Sequence, residues 1–401
     1  MDESALEFLL EFARIAHRAG YPTADLEERL GSLADALGLE AAQISATPTL
    51  VELSFGSLPR QRSFTLRVRP TNVDLDAIAR LEDLAGDVGE GRIGVGAALD
   101  RLAAIGATPL KRPWWIELAA YGAVGAAVTP LLGGGWREVL AGAVVGLLVG
   151  GVAQLAARKA RAESMVAPVA AVVASFAAAG IARLGLHASP DSVTLAALVT
   201  FLPGMSLTIG VRELATEHLQ SGVANTANAL IQLLGLVFGV GIGRSLAVHW
   251  FGITKLAVVP SGFADTHLLA ALAAGLAFTV TLRASYRAAP VMCTATVLAV
   301  SASAIGASLF GAAAGTFVAA VSIGIVGGLF ALWLRRAALV FIVPGVLMLV
   351  PGSTGFTSVL QLLAGQTVSG IDAGFNTFVT AMSIAYGLMI ATVVLPPRRI
   401  R

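Results

Sequence analysis

Up to about residue 106, apolar positions recur every three to four residues or on alternate residues; from residue 114 onward they run together. The first pattern predicts a small folded unit. Residues 4–19 and 24–38 carry the spacing of amphipathic helices. Pro22-Thr23 opens the second helix and Gly38 closes it. TLVELSF (49–55) and SFTLRVR (63–69) alternate as half-buried strands do, with GSLPR as their turn. Thr71-Asn72-Val73-Asp74 resembles a capping box for a helix over 73–88, and a fourth helix is predicted over 94–106. The expectation is an α+β domain over residues 1–112.

The second pattern predicts membrane spans, each needing about 20 mostly apolar residues. Ten stretches qualify: 114–134, 138–157, 165–184, 192–211, 224–246, 266–284, 288–309, 312–334, 338–356 and 376–396. The ninth is the least regular, because VPGVLMLVPG holds two Pro-Gly pairs. Basic residues orient the set, since short loops rich in Lys and Arg stay in the cytoplasm. With the N-terminus inside, thirteen Lys and Arg fall on the inner side and four (Arg137, Arg183, Arg244, Lys255) on the outer. Both termini are then cytoplasmic, and the location is a cytoplasmic (inner) membrane.

Composition agrees with this division. Charged residues make up 13% of the 401, and mean hydropathy is +0.80. Of 25 acidic residues, 17 precede residue 113. The acidic opening MDESALEF lacks the basic start of a signal peptide. Cys293 stands alone, so no internal disulfide forms, and no Cys/His cluster calls for a metal or cofactor. A net charge of +2 points to no nucleic-acid partner.

An internal repeat organises the apolar part. PGMSLTIGVRELATEHLQSG (203–222) aligns without a gap to PGSTGFTSVLQLLAGQTVSG (351–370), an offset of 148 that also pairs Asn228 with Asn376. Each half (113–250 and 263–401) holds five predicted spans, and an odd number makes the repeat inverted, as in many secondary transporters. Such folds place substrate at discontinuous helices. Backbone groups freed by a break cost several kcal/mol in lipid, so the break must face protein or a watery cavity. Pro203, Gly204, Ser206 and Thr208 are therefore candidate binding or gating residues, with Pro351, Gly352, Ser353 and Thr354 in the second half, joined by Thr357, Pro344 and Gly345. A proline kink that only shapes packing is the alternative, with the hydroxyls bonding back to their own helices.

Asn225, Asn228 and Asn376 bridge helices or hold a ligand. Arg212 and Glu213 form either a snorkelling interfacial pair or a gate. Titratable groups lie only at span edges: Glu117, Glu213 and Asp372 are the proton-coupling candidates, alongside His218. In the first domain, His17 reads as a helix-surface residue rather than a general base. Glu27, Glu28 and Asp35 read as a solvated face, and Asp83 and Asp87 as a surface pair.

These residues also carry a resemblance. The run from Gly20-Tyr21-Pro22-Thr23 to Ala36-Leu37-Gly38-Leu39, the LPGMSL…VREL…SG segment and FIVPGVLMLVPGS resemble the threonine/serine exporter (ThrE) family in its single-chain form. The resemblance implies proton-driven export of threonine and serine. Two-chain relatives are linked to succinate export, so a dicarboxylate remains the alternative substrate. It carries over Pro203, Gly204, Arg212, Glu213, Gly222, Pro344, Gly345, Pro351 and Gly352; Met205-Ser206 and Glu213 depart from the common pattern. A membrane-embedded enzyme is disfavoured, since the spans lack the acids, histidines and metal ligands it needs. A channel or sensor with the soluble domain as effector is the third reading. Small-residue spacing at Gly142, Gly146 and Gly150 predicts close helix contacts, within one chain or in a homo-oligomer.

Overall fold

The computed structural model describes residues 2–68, 73–108, 110–158, 164–186, 188–252, 266–334, 336–349 and 352–396. Its first part is α1 (Glu3–Arg18), α2 (Thr23–Ala36), β1 (Gln43–Thr47), β2 (Leu50–Phe55), β3 (Arg62–Arg67), α3 (Leu75–Gly89) and α4 (Val95–Ala107). The strands form one antiparallel sheet in the order β1-β2-β3, with Val51 opposite Ala46 and Leu66. Val51, Leu53 and Phe55 point inward from β2, while Glu52 between them is exposed. Phe8, Phe12, Leu26, Leu30, Leu33, Ile78 and Leu81 complete this core.

Strand β1 was not among the predicted elements. QISAT has only one large apolar residue, and its edge position leaves most of it partly exposed. The first two residues of the predicted capping box lie outside the described residues; α3 is capped instead by Asp74, whose carboxylate accepts from the Ala77 N–H at 2.9 Å.

The remaining helices are α5 (Trp114–Leu131), α6 (Trp136–Ala157), α7 (Val166–Ile181), α8 (Pro190–Leu198), α9 (Gly204–Ala215), α10 (Leu219–Phe251), α11 (His267–Thr281), α12 (Ala289–Phe310), α13 (Ala312–Leu334), α14 (Leu339–Leu349), α15 (Gly352–Leu363) and α16 (Thr367–Val394). Among the described residues, seven helical stretches are long and apolar enough to cross a membrane, one of them taking in both α14 and α15. The segment Pro190–Phe201 with Gly204–Ala215, bent by 57°, makes an eighth. The ten-span expectation exceeds this count. Helix α11 has 15 residues, about 22 Å of rise. Helix α5 is diluted by Glu117 in its first turn and Pro130 near its end. Helices α10 and α16 extend well beyond the predicted spans, at 33 and 28 residues, so Asn376 lies in the third turn of α16 rather than at its start.

Packing follows the small residues. Helix α5 lies on α6, α11 on α12, α10 on α7 and α9, and α16 on α13 and α15. A Cβ on Gly125 would stand 2.2 Å from the Gly142 carbonyl oxygen, and one on Gly146 2.5 Å from that of Tyr121. The Gly142–Gly146 stripe therefore serves contact within the chain. The same kind of approach brings Gly306 of α12 onto Gly315 of α13. Near the repeat segments, Gly222 abuts Leu214 and Gly370 abuts Leu362, both pairs separated by the 148-residue offset.

The first part joins these helices at several points, two of them near the end of α11. Arg112 donates to the carbonyls of Thr279 and Val280 at 2.9 Å and to that of Ala284, and its guanidinium stacks over Tyr286 at 4.6 Å. The Leu75 N–H donates to the Leu282 carbonyl at 3.0 Å.

Gly125→Ala is expected to lower the thermal unfolding midpoint in detergent, by about 1–3 kcal/mol of stability, because backbone cannot yield as a side chain can. Gly151→Ala, with nothing within 4 Å of the added carbon, is expected to leave the midpoint unchanged. Equal midpoints for both would mean that α5 and α6 do not approach this closely.

Candidate functional site

The chain breaks between α8 and α9. Helix α8 tightens into a 3-10 turn at Val199–Phe201, Leu202 is extended (φ −68°, ψ 125°), and α9 restarts at Gly204. Proline explains this locally: it forces the preceding residue out of the helical region and supplies no N–H. Leu202, Pro203 and Gly204 are all buried, so the opened backbone faces protein. The freed Phe201 carbonyl accepts from Gln232 Nε2 of α10 at 3.2 Å. Near the break, the hydroxyls of Thr200 and Thr208 are buried with no hydrogen-bond partner among the described residues, as is that of Thr226, which faces Gly210 further along α9. Ser206 is half-buried one turn away.

In the second half, Pro351 lies outside the described residues. Gly352 starts α15 buried, Ser353 is half-buried, and Thr354 meets Thr377 of α16 hydroxyl to hydroxyl at 3.1 Å. Thr357 bonds back to the Ser353 carbonyl at 2.9 Å, the self-bonding alternative. Pro344 and Gly345 form no break. They lie buried inside α14, where Gly345 lets that helix rest on Ile323 of α13.

At its other end α9 meets the N-terminal part. Glu213, 1% exposed, accepts from the Thr23 hydroxyl of α2 and from Asn225 Nδ2 of α10 at 2.7 Å. Arg212 does not pair with Glu213. It grips Asp25 of α2 with both terminal nitrogens, at 2.6 and 3.3 Å. His218 Nε2 lies 3.2 Å from Glu27, which also accepts from the Ala46 N–H at 2.5 Å. Ser221 donates to the Ala46 carbonyl at 2.7 Å. The interfacial snorkelling pair is thus replaced by a clasp, since both residues face protein rather than headgroups.

Two surface assignments change for the same reason. His17 is buried, with Nε2 2.8 Å from the Thr47 carbonyl, because α1 packs under the sheet. Glu27 belongs to the clasp, whereas Asp83 is exposed as expected, 3.5 Å from the exposed Arg336. The other sequence candidates stay apart: Asn228, Asn376 and Asp372 are exposed, and Glu117 is half-buried in α5. Sequence reasoning missed Thr23 and Asp25 as partners, since TAD after a proline reads simply as a helix start. It also missed Glu138, a buried carboxylate that accepts from the N–H groups of Gly135 and Ser189 at 3.0 and 3.2 Å.

Beside the clasp lies a cavity of 920 Å³ between α2 and α3 on one side and α13, α14 and α16 on the other. Its polar wall includes Tyr21, Asp25, Arg29, Glu82 and Arg212; its apolar wall includes Gly328, Ile342 and Leu395. Burial pushes the Tyr21 phenol well above its usual range, and neighbouring Glu82 adds to this, so Tyr21 stays a neutral donor to Glu82. Burial opposes the charge on Arg29, but Glu82 and Tyr21 together outweigh it and Arg29 stays cationic. No group of three or more metal-ligating side chains occurs among the described residues.

A family model described as "Putative threonine/serine exporter" (ThrE) matches residues 7–247, and a second, "Threonine/Serine exporter, ThrE", matches 266–394. A "Probable threonine/serine exporter" of Mycobacterium tuberculosis is 24% identical over 98% of this chain and 77% of its own length. The "Threonine/serine exporter" of Corynebacterium glutamicum is 22% identical over 71% of this chain and 60% of its own. An uncharacterised Schizosaccharomyces pombe protein is 27% identical over 60% of this chain, which spans only 32% of that protein. No solved structure matches.

Removing two of the three α2 contributions to the clasp, as Thr23→Val with Asp25→Ala, is expected to loosen the N-terminal part. Each bond to a charged group contributes about 1.5–3 kcal/mol. The readout is tryptic cleavage after the exposed Lys111, faster by at least about tenfold; unchanged cleavage would mean the clasp adds nothing to docking.

Proposed function

Because the chain belongs to the threonine/serine exporter family, a family of membrane transporters, we propose that it exports threonine and serine across the cytoplasmic membrane, driven by the proton motive force. The observation that carries this reading is the buried break between α8 and α9, with hydroxyls lacking partners beside it. The restart at Gly204 leaves the first N–H groups of α9 outside the helix's own bonding, and these suit a carboxylate. The unpartnered Thr200 and Thr208 hydroxyls suit an ammonium and a side-chain hydroxyl. A zwitterion needs no fixed ion within the spans.

We read the membrane part as two inverted five-span halves, 113–250 and 263–401, behind a cytoplasmic domain of residues 1–112. Recurrent packing supports this: α10 on α7 and α9 matches α16 on α13 and α15, and Gly222 on Leu214 matches Gly370 on Leu362. The basic-residue count supports cytoplasmic termini. By the same offset the sequence pairs Pro351 and Gly352 with Pro203 and Gly204, and Ser353 and Thr354 follow them as Met205 and Ser206 follow the first pair.

The coupling residue in this reading is Glu213, the most buried of the three candidates. A proton arriving there cancels the charge that Thr23 and Asn225 hold, freeing the end of α9 to move. A dicarboxylate substrate is less well supported, because the Arg212 guanidinium it would need is already held by Asp25.

The test is efflux from cells preloaded with a threonine- or serine-containing dipeptide, with and without a protonophore and with succinate efflux in parallel. Amino-acid efflux that the protonophore abolishes is the expected result; efflux of succinate alone would move the substrate to dicarboxylates. Glu213→Gln, which still accepts from Thr23, is expected to lower net efflux by more than about tenfold, within the range of a positioned proton-transfer group. It should spare threonine–threonine exchange, which moves no net proton. Equal loss of both would remove Glu213 from coupling.

A further inference from the structure

The cavity beside the clasp carries a charge pattern that the transport reading does not use. Six carboxylates and four guanidinium groups line it. Each guanidinium is already engaged: Arg29 with Glu82, Arg92 with Asp87 and Glu90, Arg212 with Asp25, and Arg336 with Asp83. Glu28 is left over. It is exposed to the cavity, has no ion pair among the described residues, and its field reaches Arg212. The opposite wall, with Gly328, Ala331 and Ile342, is small and apolar and leaves room rather than charge.

We propose that this cavity is a binding vestibule for small solutes bearing an ammonium group, with Glu28 as its contact, and that it excludes dianions before they reach the helix break. The proposal rests on the exporter reading and sharpens its substrate class. A cleft lined by excess negative charge between low-dielectric walls focuses its field, raising the local concentration of cations and lowering that of anions. A zwitterion enters because Glu28 takes its ammonium while its carboxylate can stay turned toward solvent. A dicarboxylate meets only occupied guanidinium groups and a spare carboxylate. Asp25 and Arg212 belong to both the vestibule and the clasp, so a solute here touches the contacts that hold α9.

The test separates vestibule chemistry from transport. In the full chain carrying Cys293→Ala, a reporter thiol is placed on the polar wall as Ser32→Cys and, in a second variant, on the apolar wall as Ala331→Cys. The reconstituted proteins are treated with a cationic or an anionic methanethiosulfonate, with rates normalised to those of a free thiol. The cationic reagent is expected to react at least about tenfold faster, the preference shrinking in high salt. Threonine should slow the reaction and succinate should not, and Glu28→Gln should cut the preference by about threefold or more. Equal rates at both positions, a preference that Glu28→Gln leaves unchanged, or no protection by threonine would each overturn the proposal. Loss of threonine efflux in the preloading assay bears on the exporter reading alone, so the two failures are distinguishable.

Discussion

A carboxylate taken out of water must be matched by donors, and Glu213 is nearly sealed. It takes one donor from each side of a junction, Thr23 on α2 and Asn225 on α10. Next to it, Arg212 holds Asp25. The end of α9 therefore cannot shift without disturbing α2, and through Ser221 on the Ala46 carbonyl the start of α10 is bound to β1. The opposite end of α9 is the broken backbone at Pro203. Twelve residues, about 18 Å of helix, thus connect the N-terminal part to the break. That short rigid element gives the N-terminal part a mechanical route to the break, alongside its contacts with the end of α11.

The membrane helices hold together on different terms. Lipid tails are as apolar as leucine, so helix association there depends on close packing. Glycine supplies it: Gly125 on Gly142, Gly306 on Gly315, Gly222 on Leu214 and Gly370 on Leu362. Backbones this near leave little space inside a helix pair, and void space remains where different parts meet. The cavity under α2 and α3 is such a meeting place. Its two walls differ in character because one comes from the charged first quarter of the chain and the other from the apolar helices of the remainder.

Much of the fold was legible locally. The four N-terminal helices fall within a few residues of their periodicity, and β2 and β3 match their alternation, because burying one face imposes a period on any sequence. The weak edge strand β1 escaped, since an edge asks little of its side chains. Ten apolar stretches were countable, and among the described residues seven to eight helices meet the length and hydropathy of a span, because apolar length does not say where a helix stops or bends. Pro203 ends a helix and Pro344 stays inside one, although both precede glycine. The residue types are the same, and the difference lies in what packs around them: Gly345 is seated on Ile323, while Gly204 restarts a helix turned 57° from the last.

By itself the sequence determined the division into a charged first quarter and an apolar remainder, the four helices and two of the three strands of that first quarter, the 148-residue offset between the two Pro-Gly segments and the resemblance to an exporter family. These depend on composition, spacing and order, which are properties of neighbours along the chain. Only the tertiary structure decided that Arg212 and Glu213 face α2 rather than each other, that His17 is buried, and that Asn228, Asn376 and Asp372 stand apart from the break. Thr23 and Glu213 are 190 positions apart. No periodicity reaches across that distance; the partner of a buried charge is set by which surfaces close over it.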